Sequence, residues 1–188
     1  MRTLCLLSAL IATLLATPVF AQQKPAQTLI GACARCHGED GNSSGHYPSL
    51  ARQQAEYTLK QLMDFKSGAR KNGEMSPMVG VLTESNMQVL AEYYADENLN
   101  RQRGLDEELA AEGKKVAAEF NCASCHQKNY RGVSTIPRIA RQKRVYLVQQ
   151  MENFRDGTRT NDGGLKIEMF KNVTDEQIKA MSHYFAGM

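Results

Sequence analysis

The sequence predicts an all-α fold built as two tandem, similar domains, and three observations predict it. First, residues recur at a fixed offset of 89: Pro48, Ala51, Arg52, Gln53, Tyr57, Gln61, Phe65, Gly68 and Arg70 return as Pro137, Ala140, Arg141, Gln142, Tyr146, Gln150, Phe154, Gly157 and Arg159. Second, apolar residues follow the spacing of helix faces, and third, the two-residue alternation of strands is absent. The 188 residues are 42% hydrophobic and 23% charged with formal charge +3, which suits one or two small globular domains and excludes disordered and collagen-like chains.

The chain opens with Arg2, an apolar run from Leu4 to Leu15, and Thr17-Pro18-Val19-Phe20-Ala21. A basic start, a short apolar run and a small residue form the pattern of a secretory signal, so residues 1–21 are expected to be removed after Ala21, taking Cys5 with them. The run is too short to span a bilayer, and no transmembrane anchor is expected after it. Loss of Arg2 leaves 22 basic and 20 acidic side chains, a balance that suggests no nucleic-acid partner.

Residues 22–98 are expected to form the first domain, 99–110 a linker with the start of the next helix near Glu107, and 111–188 the second domain. In each domain a middle helix is expected, over about 53–65 and 142–154, stopped by Gly68 and Gly157. Met87, Leu90, Ala91 and Tyr94, and again Ile178, Met181, Ser182 and Phe185, fall at i, i+3, i+4 and i+7, so each domain ends in an amphipathic helix. Thr83 and Thr174 are the expected N-caps, and Thr174 with Gln177 fits a capping box. Near this last helix the offset grows to 91, as Thr83 and Tyr94 match Thr174 and Phe185, so two residues are inserted after Arg159.

Four cysteines remain after export, and an even count in an oxidising compartment ordinarily reads as disulfides. Their spacing argues otherwise. Cys33-Ala-Arg-Cys36-His37 and Cys122-Ala-Ser-Cys125-His126 are two copies of C-x-x-C-H, in which both thiols add across haem vinyl groups and the histidine ligates the iron. Two covalently bound haem c groups are therefore expected, with His37 and His126 as proximal ligands. A disulfide within each pair, or one zinc shared by four cysteines, leaves both histidines unexplained. Each imidazole needs an acceptor for its other ring nitrogen, and Pro48 and Pro137, each 11 residues on, are candidates. On the distal side Met75 and Met78 lie on the polar stretch after Arg70, and Met169 on the longer stretch after Arg159.

In both C-x-x-C-H sites, the Pro48 and Pro137 segments, the run from Phe154 to Asp162 and the terminal Tyr-Tyr-Ala and Tyr-Phe-Ala, the sequence resembles the two-domain, di-haem cytochromes of the cytochrome c4 type. The resemblance covers nearly all of residues 22–188. It implies two class I cytochrome c folds, each iron held by His and Met, in a periplasmic respiratory-chain protein that carries electrons and does no bond chemistry.

That family's ligand methionine stands seven residues before the position of Leu82, which selects Met75 over Met78, while the internal alignment of Met169 with Met78 keeps Met78 as the alternative. The same count back from Val173 lands on Lys166, with Met169 only four residues away. The expected ligand is Met169 presented by a rearranged loop; Lys166 or an open iron are the alternatives. Two further departures are a short segment before Cys33, where Gly113 and Phe120 make a fuller N-terminal helix in domain two, and Arg52 and Arg141 where the family has a small residue. These arginines are candidates to pair with haem propionates, or are plain surface residues.

Residues 22–98 carry 7 basic and 9 acidic side chains and residues 99–188 carry 15 and 11, so domain two is the side expected to meet an acidic redox partner. The expected partners are a membrane cytochrome complex or terminal oxidase, reached by docking, and small electron carriers. The rival readings are the haem subunit of a larger oxidoreductase, such as a flavocytochrome sulfide dehydrogenase, and a haem enzyme with an open second iron.

Overall fold

The computed structural model describes residues 27–188; the expected signal segment lies outside the described residues. Four helices make the first half: α1 (Gln27–His37), α2 (Ala55–Ser67), α3 (Met75–Gly80) and α4 (Glu84–Asp96). Five make the second: α5 (Glu107–Glu119), α6 (Ala123–His126), α7 (Arg144–Arg155), α8 (Leu165–Phe170) and α9 (Asp175–Gly187). Among the described residues the only β pairing is one isolated bridge, Val133 with Ile136, so the all-α class holds.

The last helix of each half buries the face its periodicity marks. Met87, Leu90, Ala91 and Tyr94 on α4, and Ile178, Met181, Ser182 and Phe185 on α9, are buried. Each large apolar side chain so placed contributes about 1.5–3 kcal/mol. Both helices start at a full capping box: Thr174 pairs with Gln177, and Thr83 pairs with Asn86 in the same reciprocal way. The second box escapes the sequence pattern because asparagine stands where glutamate or glutamine is usual.

α5 starts at Glu107, behind an Asp106 cap whose side chain accepts the Leu109 amide at 2.9 Å. It lies across α9 at Gly113, where a Cβ would stand 2.1 Å from the Ala180 carbonyl oxygen. A glycine inside a helix costs up to about 1 kcal/mol, and the contact of the two backbones offsets it. Phe120 packs against the second-half core, whose members include Val116, Leu147 and Phe185.

The middle helices begin two residues later than their periodicity suggests, at Ala55 and Arg144. Gln53 and Gln142 are the cause: each side-chain oxygen takes the next residue's amide (3.0 Å from Gln54, 2.8 Å from Lys143) and an amide of the other half. α2 ends at Gly68, with φ 81°, as expected. The polar stretches after Arg70 and Arg159 are partly helical, α3 and α8, because Asn72 and Asp162 side chains cap their first amides.

Candidate functional site

Cys33, Cys36 and His37 occupy the last turn of α1, where i, i+3 and i+4 share one face. Gly38 then turns the chain at φ 82°, with any Cβ only 2.7 Å from the Asn42 carbonyl oxygen. The His37 ring is buried, and its Nδ1 lies 2.9 Å from the Pro48 carbonyl oxygen. A carbonyl only accepts, so Nδ1 donates and Nε2 keeps its lone pair for a metal. His126 repeats the arrangement on α6, with Nδ1 2.9 Å from the Pro137 carbonyl oxygen. Burial holds both imidazoles below the ordinary histidine range. Both prolines sit where the sequence reading needs an acceptor.

The four cysteines are unpaired, and burial pushes the Cys33 thiol up and the Cys122 thiol to about 11. Among the described residues no three His, Cys, Asp or Glu converge on a common point, so the thiols do not form a zinc site. They open instead on one continuous cavity of about 1280 Å³ that runs from the first C-x-x-C-H to the second. Ordinary small-molecule sites measure about 300–1,000 Å³. Its wall includes Cys33, Cys36, His37, Met75, Cys122, Cys125, His126 and Met169, with Phe65, Leu90, Leu147, Phe154 and Phe170 as apolar surface. The Tyr94 hydroxyl, on the same wall, is buried and has no partner at hydrogen-bond geometry among the described residues. Paired thiols, a histidine with a free Nε2 and a large apolar wall in each half fit a covalently held haem on each side.

Met75 opens α3 and is half-buried. The Asn72 side-chain oxygen accepts the amides of Glu74 (3.0 Å) and Met75 (2.8 Å), while the Tyr47 hydroxyl donates to the Glu74 carboxylate at 2.9 Å. That bond is the main reason the Tyr47 phenol is pushed up to about 12. Met78, one turn on, is 40% exposed. In the second half Asp162 accepts the amides of Gly164 and Lys166 and also the Lys166 ammonium, each at 3.1 Å. Lys166 stands 4.9 Å over the Phe154 ring, and Met169 is half-buried against the second-half core.

The two halves meet through a polar network with two-fold character. Arg70 donates to Gln61 of its own half and to the Tyr146 hydroxyl and Gln150 of the other, at 2.8, 2.9 and 2.8 Å. Arg159 donates to Gln150 of its own half and to the Tyr57 hydroxyl and Gln61 of the other, at 2.8, 3.1 and 2.9 Å. Each guanidinium lies 4.5 Å over a phenylalanine ring, Phe65 or Phe154. Gln53 bonds both backbone groups of Arg138, and Gln142 both of Ser49. These residues appear in the sequence only as repeats. The signal available was a polar stripe, Gln53, Tyr57 and Gln61, four residues apart at helical spacing and present in both copies.

Arg138 breaks the symmetry. It is 3% exposed and donates to the carbonyls of Ser49, Ala51, Arg52 and Ala140, and burial pushes it down to about 10. Arg70, Arg138 and Arg159 all line the cavity, and none forms an ion pair with a carboxylate among the described residues. Arg52 and Arg141, the sequence candidates for the propionates, turn elsewhere: Arg52 reaches Asn98 at 3.4 Å and Arg141 the Met188 carbonyl at 2.5 Å.

A model of the cytochrome c family matches residues 23–97 and 110–188. Cytochrome c4 of Pseudomonas aeruginosa is 33% identical over 174 residues, 86% of each chain. A thiosulfate dehydrogenase electron acceptor of Stutzerimonas stutzeri is 33% identical over 170 residues, 84% of this chain and 79% of that one. Among solved structures, reduced recombinant cytochrome c4 from Pseudomonas stutzeri superposes with a TM-score of 0.80 at 30% identity, covering 87% of this chain and 98% of that one.

Proposed function

Because the chain belongs to the cytochrome c family, as a di-haem electron carrier of the cytochrome c4 type with tandem class I domains, we propose that it works in the periplasm, passing electrons between its two haems and on toward a terminal oxidase. The observation that carries this reading is the pair of C-x-x-C-H motifs on one cavity, each with its histidine bonded to a proline carbonyl at 2.9 Å. On this reading residues 1–21 are the export signal, and residues 22–98 and 111–188 are the two domains, joined by 99–110.

Each residue then has a task. Cys33 and Cys36, and Cys122 and Cys125, tether one haem apiece by thioether bonds. His37 and His126 would bind the irons through Nε2, with Pro48 and Pro137 fixing the ring orientation, the arrangement that makes an imidazole a stronger donor. The haem iron supplies the one-electron ferrous–ferric couple. Met75 would hold the first iron through its thioether, a donor that favours the ferrous state and a high potential. The donor in the second half comes from α8, where Met169 supplies a thioether and Lys166 an amine. Arg70, Arg138 and Arg159 place positive charge on the cavity wall, where propionates would offset it. No helix among the described residues is long and apolar enough to cross a membrane, and docking is the proposed contact with the respiratory chain.

The relative that accepts electrons from thiosulfate dehydrogenase favours a second reading, in which the chain serves a larger oxidoreductase. Reduced holo-protein mixed with membranes bearing a terminal oxidase separates the two. Rapid oxidation, lost when Lys143 and Arg144, two of the basic residues in excess in the second half, are replaced by glutamate, supports the carrier; inert membranes together with co-purification of a dehydrogenase subunit support the second reading.

A further inference from the structure

The two inserted residues of the second half can be placed, and their positions decide which side chain meets the second iron. One lies in the short link between Arg159 and Asp162, since Asp162 does the work of Asn72 one residue later than the offset of 89 requires. The other lies between that acid and the helix: Asn72 binds the amides two and three residues on, Asp162 those two and four residues on. The last amide so held is that of Met75 in the first half and that of Lys166 in the second.

Register from the other side agrees. The Leu82 amide donates to Val79 at 3.0 Å, and the Val173 amide to Phe170 at 2.9 Å. The Leu82 carbonyl accepts from Lys66 and the Val173 carbonyl from Arg155, the residue 89 positions after Lys66. Val79 and Phe170 are the buried residues of their short helices. The pairs Leu82 with Val173 and Val79 with Phe170, both 91 apart, set Lys166 against Met75, and set Met169 against Met78, which is 40% exposed in its own half. Lys166 also departs from a surface lysine: its side chain is 25% exposed, lines the cavity and lies over the Phe154 ring.

We propose that Lys166, by its amine nitrogen, is the distal ligand of the second iron, in the position that Met75 holds for the first, and that Met169 serves as packing. The proposal rests on the reading above of a haem attached at Cys122 and Cys125 with His126 below the iron. Coordination forms one N–Fe bond; the ammonium releases one proton, to Asp162 or to water, and the oxidation state of the iron is unchanged. A nitrogen donor favours ferric iron more than a thioether does, so the second haem becomes the lower-potential of the two.

The test is the thioether-to-ferric-iron charge-transfer absorption of purified holo-protein, measured per covalently bound haem, in wild type, Lys166→Met and Met169→Leu. The expected result is one thioether signature for two haems in wild type, no change in Met169→Leu, and about twice the signature in Lys166→Met, with the lower of the two potentials raised. Two signatures in wild type, one of them lost in Met169→Leu, overturn the assignment. So does a second iron without any sixth ligand in the wild-type spectrum. If Lys166→Met fails to fold, the wild-type count per haem and Met169→Leu still decide. Fewer than two covalent haems per chain overturn the underlying reading of attachment instead, a distinguishable failure.

Discussion

Arg52 and Arg141 hold φ at 54° and 55°, in the left-handed region where a side chain other than glycine costs about 1–2 kcal/mol. Each does so because its amide must reach the closing helix, at 3.0 Å to the Tyr94 carbonyl and 2.7 Å to that of Phe185. Arg52 gets little in return, since it is exposed and its contact with Asn98 is long. Arg52→Gly is therefore expected to raise stability by about 0.5–1 kcal/mol after the added chain entropy of glycine, read as a higher denaturation midpoint at unchanged slope. The two cysteine pairs and their histidines were legible in the sequence because the chemistry of the C-x-x-C-H motif fixes their spacing, and the proline acceptors because they recur 11 residues after each histidine. The arginines that face the cavity were not. Nothing in Arg70, Arg138 or Arg159 as letters distinguishes a guanidinium buried between two domains from one in water; only the fold brings Tyr57 and Gln61 of one copy against Arg159 of the other.

Between α5 and α9 the backbones touch at Gly113, and a methyl there collides with the Ala180 carbonyl. Gly113→Ala is expected to lose more than about 2 kcal/mol despite the better helix propensity of alanine, measured by denaturant unfolding of the holo-protein. The same two helices are fastened at the start of α5, where the Asp106 amide donates to Nδ1 of His183 at 3.0 Å. That bond needs a neutral imidazole, and burial, followed by the charge of Arg144, holds His183 below its ordinary value while Asp106 opposes them. The unfolded chain therefore binds the proton first. The contribution is complete above about pH 6.5 and is lost as the pH falls below it. The melting temperature is expected to drop less between about pH 7.5 and pH 5 in His183→Gln, which keeps an acceptor and cannot titrate, than in the wild type. The long amphipathic helices were readable from periodicity and caps. α3 and α8 were not, since six residues are too few to form a helix unaided and these two are held by Asn72 and Asp162.

At the scale of the whole molecule, duplication gave each half the same stripe, and the stripes meet each other across a pseudo-two-fold axis. Gln61 accepts from Arg70 and Arg159, and Gln150 accepts from the same two residues. Gln61→Leu and Gln150→Leu each leave two guanidinium bonds of the partly buried interface unmade, at about 1–3 kcal/mol apiece. The double variant is expected to cost less than the sum of the singles, since the same two arginines lose both glutamines, and to unfold in two steps where the wild type unfolds in one. A single cooperative transition in the double variant contradicts an interface held by this network.

The proposed carrier rests on two haems held covalently by one chain, one in each half. A potentiometric titration of the purified holo-protein, followed by haem quantification on the denatured polypeptide, tests it most directly. Two one-electron steps and two haems retained per chain are expected, falling to one of each in Cys122→Ala/Cys125→Ala. A single step, or haem that leaves the denatured chain, would contradict the account.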